Sequence, residues 1–174
     1  KILKLKEVRP HLSISSDFIV GFPGESEEDF EQTLSLVEQL DLDTSYSFIY
    51  SKRPGTLAAS YQNEVSKEVA KDRLERLQNQ LNKQASTHSQ KMLHHVFDVL
   101  VAGYSKDSHT LYGRTENNRI VHLVNAHESM IGTFVQAHIT QIFSNSLQGR
   151  VVNITDSHIH SSVVNLTSQE EVIL

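Results

Sequence analysis

The chain has 174 residues, 38% of them apolar and 21% charged, enough for a packed core in one ordinary domain or two small ones. Its net charge of −5 divides into −3 over residues 1–87, +1 over 88–154 and −3 over 155–174, far from the excess of a strongly basic nucleic-acid-binding domain. With no cysteine, the chain cannot form disulfides, zinc fingers or thiolate-held iron–sulfur clusters, and no apolar run reaches the roughly 20 residues of a membrane span.

Lys1 to Pro10 are charged throughout and lack the apolar centre of a signal peptide. The run Asp17-Phe18-Ile19-Val20, closed by Gly21, reads as the end of a buried strand beginning near Leu12, and Pro23-Gly24 marks a turn. Ser26 is a candidate N-cap with Asp29 three residues on. Phe30, Leu34, Val37 and Leu40 then recur at helical spacing, predicting an amphipathic helix over 27–40. Glu25, Glu27, Glu28, Asp29 and Glu31 crowd its start, where the helix dipole favours negative charge; a solvated cap explains them better than catalysis. Ser45 to Tyr50 predicts a second strand, stopped by Pro54-Gly55. A long charged helix follows from about Glu64 to Gln90, with an apolar stripe of Val65, Val69, Leu74, Leu77, Leu81 and Ala85.

Strand, helix, strand, helix is the order of an α/β domain with parallel strands. Two such units leave a sheet edge bare, so further units are expected upstream, and a chain that starts at Lys1 reads as a piece of something longer. After residue 90 the pattern changes to short strands between turns: Val96–Ala102, Leu111–Arg114, Arg119–Val124, Gly132–Ile142 and one after Gly149. Val135, Ala137 and Ile139 alternate as in a half-buried strand. Five short strands in so few residues predict a small, mostly antiparallel β-barrel of the OB type. The domains expected are thus 1–87 and 88–154, with 155–174 a poorly ordered or loosely docked tail.

Three segments in order carry a family resemblance. Ser15-Ser16-Asp17-Phe18-Ile19-Val20-Gly21-Phe22-Pro23-Gly24-Glu25-Ser26 through Phe30 resembles a strand-turn-helix of the radical SAM domain. Ser47-Phe48-Ile49-Tyr50 through Ala59 resembles the next strand and loop in the methylthiotransferase branch of that superfamily, and Gly113-Arg114-Thr115-Glu116-Asn117-Asn118-Arg119 resembles the hairpin of its C-terminal TRAM domain. The resemblance covers about residues 9–150. It implies the C-terminal portion of a radical SAM partial TIM-like barrel followed by a TRAM domain. The implied parent acts on tRNA, methylthiolating C2 of N(6)-isopentenyladenosine beside the anticodon, in the cytoplasm and as a monomer. It would use S-adenosyl-L-methionine and two 4Fe–4S clusters held by cysteines of upstream domains. This cysteine-free chain would then be inactive alone and hold no cofactor tightly. Two alternatives stand beside this: a stand-alone RNA-binding module, and a sister methylthiotransferase acting on a ribosomal protein or on threonylcarbamoyladenosine.

The resemblance also suggests site residues. In radical SAM domains the first strand and its turn line the cofactor cleft, which nominates Asp17, Gly21, Phe22, Pro23 and Gly24; Asp17 would accept hydrogen bonds at the strand's C-terminal end. The superfamily spacing Gly-x-Ile-x-Gly-x-x-Glu is met by Ile19 and Gly21, whereas Asp17 and Gly24 depart from it. Ile49 and Tyr50 could pack on adenine, with core burial the competing explanation for that strand. For tRNA the candidates are Arg114, Asn117, Asn118, Arg119, Arg150 and Lys91, because guanidinium groups hold phosphates and stack on bases. Arg114 and Arg119 flank the hairpin tip, an arrangement expected to bracket one phosphate. Ten histidines include His94-His95 and His158-x-His160, but no third and fourth ligand stands at a telling spacing for zinc. Neither a nucleophile elbow nor a Walker-type phosphate loop is present.

Overall fold

The computed structural model describes residues 1–10, 12–106 and 110–152. The chain forms two compact units, Lys1–His88 and Ser89–Leu174. The expected tail over 155–174 and the His158/His160 pair lie outside the described residues.

The first unit opens with a helix that the sequence reading did not anticipate, α1 (Ile2–Val8); none of its residues is buried. Lys6 ties it down by donating to the carbonyls of Leu40 and Asp41 at 2.8 and 2.7 Å. Strands β1 (Asp17–Val20) and β2 (Tyr46–Ile49) pair in parallel, with Asp17 opposite Tyr46 and Val20 opposite Ile49. Each strand is shorter than its apolar run suggested. Helix α2 (Glu27–Leu40) occupies the predicted span, and the Ser26–Asp29 capping box closes in both directions despite Asp in place of Glu. A 3₁₀ turn at Leu57–Ser60 leads to α3 (Lys67–Gln90). Val20, Phe30, Val37, Leu42, Leu77 and Leu81 make the core of this unit. The α3 stripe is not wholly apolar: Val69 is exposed, whereas Arg73 and Gln84 are buried. Gln84 can be buried because its amide donates to the Val37 carbonyl at 2.9 Å, joining the two helices. Among the described residues two α/β units are present and their sheet has two strands, so those residues do not themselves form a partial barrel.

In the second unit β3 (Val96–Tyr104), β4 (Leu111–Thr115), β5 (Ile120–Val124), β6 (Phe134–Ile142) and β7 (Leu147–Val151) close into a barrel in the order β3-β4-β5-β7-β6. Four of the pairings are antiparallel, but β5 and β7 run parallel, with Val121 opposite Leu147. The barrel is thus mostly antiparallel, as the strand pattern predicts. A closed ring with an odd number of strands cannot alternate direction throughout, so one pairing must be parallel. The interior is filled by Val99, Val101, Val121, Leu123, Ala137, Ile139 and Leu147. At Gly113 an added Cβ would lie 2.5 Å from the Leu100 carbonyl oxygen and from Val99 Cγ1, so the close approach of β3 and β4 requires glycine there. A small OB-like barrel is the result.

Candidate functional site

Two groups of predicted residues can be followed, one in each unit. In the first, parallel strands leave a turn at their C-terminal ends, where open α/β sheets usually bind ligands. Gly21 to Gly24 form that turn, with φ of +70° and +86° at the two glycines. The Gly21 N–H donates to Glu25 Oε2 at 2.7 Å, and Gly24 N–H donates to the Asn63 carbonyl at 2.9 Å. The Phe22 ring meets Tyr50 edge-on at 5.1 Å and Tyr61 at 6.1 Å between centroids. Tyr50, just past β2, continues the pairing by donating its N–H to Val20 O at 2.8 Å. Its hydroxyl is buried with no hydrogen-bond partner among the described residues. Gly21, Phe22, Pro23, Gly24 and Tyr50 therefore gather at one end, with partly exposed Ile49 beside them.

Asp17 does not join them. It opens β1 instead of closing it, and four residues at about 3.3 Å each put it roughly 13 Å from Gly21. The expectation of a carboxylate at the strand's C-terminal end is corrected accordingly. A sequence run names a strand without saying which of its residues the neighbour will pair.

The acidic cluster after the turn is also more than a solvated cap. Arg73 of α3, 4% exposed, donates from Nη1 to the Glu25 carbonyl at 3.0 Å and to Glu25 Oε2 at 2.8 Å, and from Nη2 to Glu27 Oε2 at 3.1 Å. Arg76 pairs with Glu27 Oε1 at 2.7 Å and with Glu31. Hydrogen bonds from Arg76 and Arg73 lower the Glu27 pKa, and those from Ser26 lower that of Asp29. Both guanidinium groups also lie over the Phe30 ring, at 5.6 and 4.8 Å from its centroid. One carboxylate, Glu25, thus links a buried arginine to the backbone of the Gly21 turn. Sequence reasoning missed Arg73 because it occupies a position that helical periodicity assigns to apolar contact.

In the second unit the hairpin between β4 and β5 is tight. Asn118, with φ of 62°, returns its N–H to the Thr115 carbonyl at 2.9 Å. Arg114 Nη1 donates to Asn118 Oδ1 at 2.9 Å and to its carbonyl at 3.2 Å, while Asn117 accepts from Thr115 Oγ1 and donates to Met92 Sδ at 3.5 Å. Thr115 and Arg119 bond across the tip and both are buried, Arg119 at 9% exposure. Arg114 instead pairs with Ile120 and is exposed. Adjacent positions on a strand point to opposite faces, so the two arginines leave the hairpin on opposite sides and do not bracket one phosphate. Arg119 is withdrawn as an exposed contact. Arg150 is exposed but pairs with Val124 and His138, the other end of β5 from Arg114; Lys91 is exposed before β3. A separate cleft of about 470 Å³ lies at the end of the barrel away from the hairpin, lined by Tyr104, Leu111, Leu123, Asn125, His127 and Glu128. Among the described residues no group of three or more His, Asp or Glu side chains could hold a metal ion, and no helix is long and apolar enough to cross a membrane.

Residues 90–152, which include the whole barrel, match the TRAM domain family. The chain is 54% identical over 89% of its length to tRNA-2-methylthio-N(6)-dimethylallyladenosine synthase of Actinobacillus pleuropneumoniae, of which it covers 33%. Against the synthases of Photobacterium profundum and Haemophilus ducreyi it is 51% and 48% identical over 87% and 98% of its length, covering 32% and 37% of them. The chain corresponds to the C-terminal part of these synthases. It spans about a third of their length, and the barrel lies within the residues that match the TRAM domain family. Similarity to the synthases extends through the first unit as well, since the match covers far more of the chain than the barrel alone.

Proposed function

We propose that this chain supplies part of the cofactor cleft and the RNA-contacting domain of a tRNA methylthiotransferase that modifies C2 of N(6)-isopentenyladenosine beside the anticodon. The observation that carries the reading is close similarity to synthases of that name along nearly the whole chain, together with a TRAM barrel bearing an exposed arginine at its hairpin. The anticodon stem-loop is the partner, the cytoplasm is the compartment in which it meets the enzyme, and the protein acts as a monomer. No observation favours a stand-alone RNA module or a sister activity; the relatives described carry a single synthase name.

The residues divide between two groups that the parent would need. The clusters do not fit this chain, which has no thiolate to ligate iron, so they would be held elsewhere in the protein and the chain alone is inactive. S-adenosylmethionine fits better. Phe22 and Tyr50 offer aromatic surface for an adenine, and the unpartnered Tyr50 hydroxyl offers a donor or acceptor beside it. A Cβ on Gly24 would meet nothing within 4 Å, leaving the backbone of the turn open to a ligand. Held beside this turn, the cofactor would supply radical chemistry for the adenosine C2 position. The chain's own part is to orient the cofactor, through a turn braced by Glu25 and Arg73, and to hold the RNA.

The test is a chimera in which this chain replaces the matching third of the Haemophilus ducreyi synthase. Expressed in a strain lacking its own synthase, it should restore 2-methylthio-isopentenyladenosine in tRNA, read by mass spectrometry of digested nucleosides. A folded chimera that leaves tRNA unmodified would remove the proposed activity.

A further inference from the structure

Burial of Arg119 leaves open which surface of the barrel meets RNA bases, and the strand register answers it. Inward residues of β3, β4, β5 and β6 fill the core, so Leu100, Arg114, Ile120 and Phe134 face outward. These four form one continuous cross-strand row: Phe134 pairs with Leu100, Leu100 with Arg114, and Arg114 with Ile120. Phe134 is 72% exposed and Leu100 40% exposed. On the next outward row, Tyr112 pairs with His122, which pairs with Gln148. The surface thus places a bare aromatic ring, an aliphatic patch, a guanidinium group and a second aromatic ring on adjacent strands.

We propose that this outer face, with Phe134 on β6 and with Arg114 and Tyr112 two residues apart on β4, is a stacking platform for unpaired RNA bases. The proposal rests on the RNA-binding reading above and names the surface that serves it. Exposed rings are stabilised by stacking on bases, because every base presents an apolar π-face that water solvates poorly. Arg114 lies two strands from Phe134, roughly 10 Å at the backbone and less between side-chain ends. It can therefore hold the phosphate of a nucleotide whose base rests on Phe134. Its existing contact with Asn118 pre-orders the guanidinium group and leaves further N–H donors for that phosphate. Asp98, the next outward residue on β3, is paired with Gln136 and repels phosphate, so the RNA backbone should run along the Arg114 side. An apolar row alone would suit a protein partner equally well; the arginine within it favours RNA.

The experiment measures binding of a fluorescent anticodon stem-loop RNA to the 174-residue chain. Phe134→Ala and Phe134→Leu should each weaken binding by about five- to one-hundred-fold, the range of base–aromatic stacking, with the thermal melt unchanged because the side chain is exposed. Arg114→Ala should lower the slope of log affinity against log salt by about 0.7, the value for one phosphate of a single strand. The chain contains no tryptophan, so Phe134→Trp introduces a single indole, expected to bind RNA normally and lose emission as a base stacks on it. Wild-type affinity in Phe134→Ala, full retention by Phe134→Leu, or unquenched Trp emission at RNA saturation would each overturn the platform. A wild-type chain that binds no RNA at low salt would instead overturn the RNA-contact reading itself, and the platform with it.

Discussion

Gly21 and Gly24 both adopt positive φ, yet substitution should separate them sharply. A Cβ at Gly21 would sit 2.8 Å from Ala70 Cβ on α3, whereas one at Gly24 would meet nothing within 4 Å. Gly24→Ala therefore carries only the left-handed backbone cost of about 1–2 kcal/mol. Gly21→Ala adds a clash between two packed elements, for a total of roughly 3 kcal/mol or more. Chemical denaturation of the first unit should show Gly21→Ala as clearly the worse variant, and equal losses would refute the packing argument. Arg73→Met tests the neighbouring bridge. Removing the guanidinium group leaves Glu25, whose side chain is 12% exposed, without its partner, at a cost of about 3 kcal/mol; the more exposed Glu27 contact adds little. The same variant should loosen the Gly21 turn, read as faster exchange of the Gly21 amide.

Among the elements, α2 and α3 are joined by apolar packing and by a charged seam, and acid should act on the seam alone. Glu27 and Asp29 have pKa values lowered in the folded protein by Arg76, Arg73 and Ser26. Groups of this kind contribute stability that is fully present above their unfolded pKa, about 4, and is lost as pH falls through the lower folded value. Melts of the first unit should fall as pH drops below about 4, and Glu27→Gln should flatten part of that fall. An identical pH profile in Glu27→Gln would show that the seam contributes no linkage. Leu77, fully buried against the same helix pair, provides the contrast: Leu77→Ala should cost about 2–5 kcal/mol at every pH.

Across the whole molecule, the absence of cysteine separates structure from chemistry. Anaerobic reconstitution with iron and sulfide should leave the chain colourless, and a stoichiometric visible absorbance band would contradict this. On the proposed reading, S-adenosylmethionine should bind weakly or not at all, because the turn after β1 and the Tyr50 side chain would offer only part of its cleft. Micromolar affinity by calorimetry would show that these residues alone suffice. RNA binding, by contrast, should survive in the isolated chain, since the barrel closes on itself and needs no further strand.

Much of this was legible along the chain. Helical spacing from Phe30 to Leu40, with Ser26 before it, specified α2, because capping and amphipathic periodicity are local properties. Alternation in Val135, Ala137 and Ile139 specified a strand, and the three motifs pointed to the family. Helix α1 was missed because it buries none of its own residues, so no apolar face announces it. Sequence by itself determined the helices and strands that carry a local apolar period, α1 excepted, and that no thiolate chemistry occurs here. Only the tertiary structure decided that Asp17 opens its strand, that Arg73 braces the turn, and that Arg119 turns inward while Arg114 faces out with Phe134. Those outcomes depend on pairing register and on contacts between segments dozens of residues apart, and a one-residue step in register moves a side chain to the other face of a sheet.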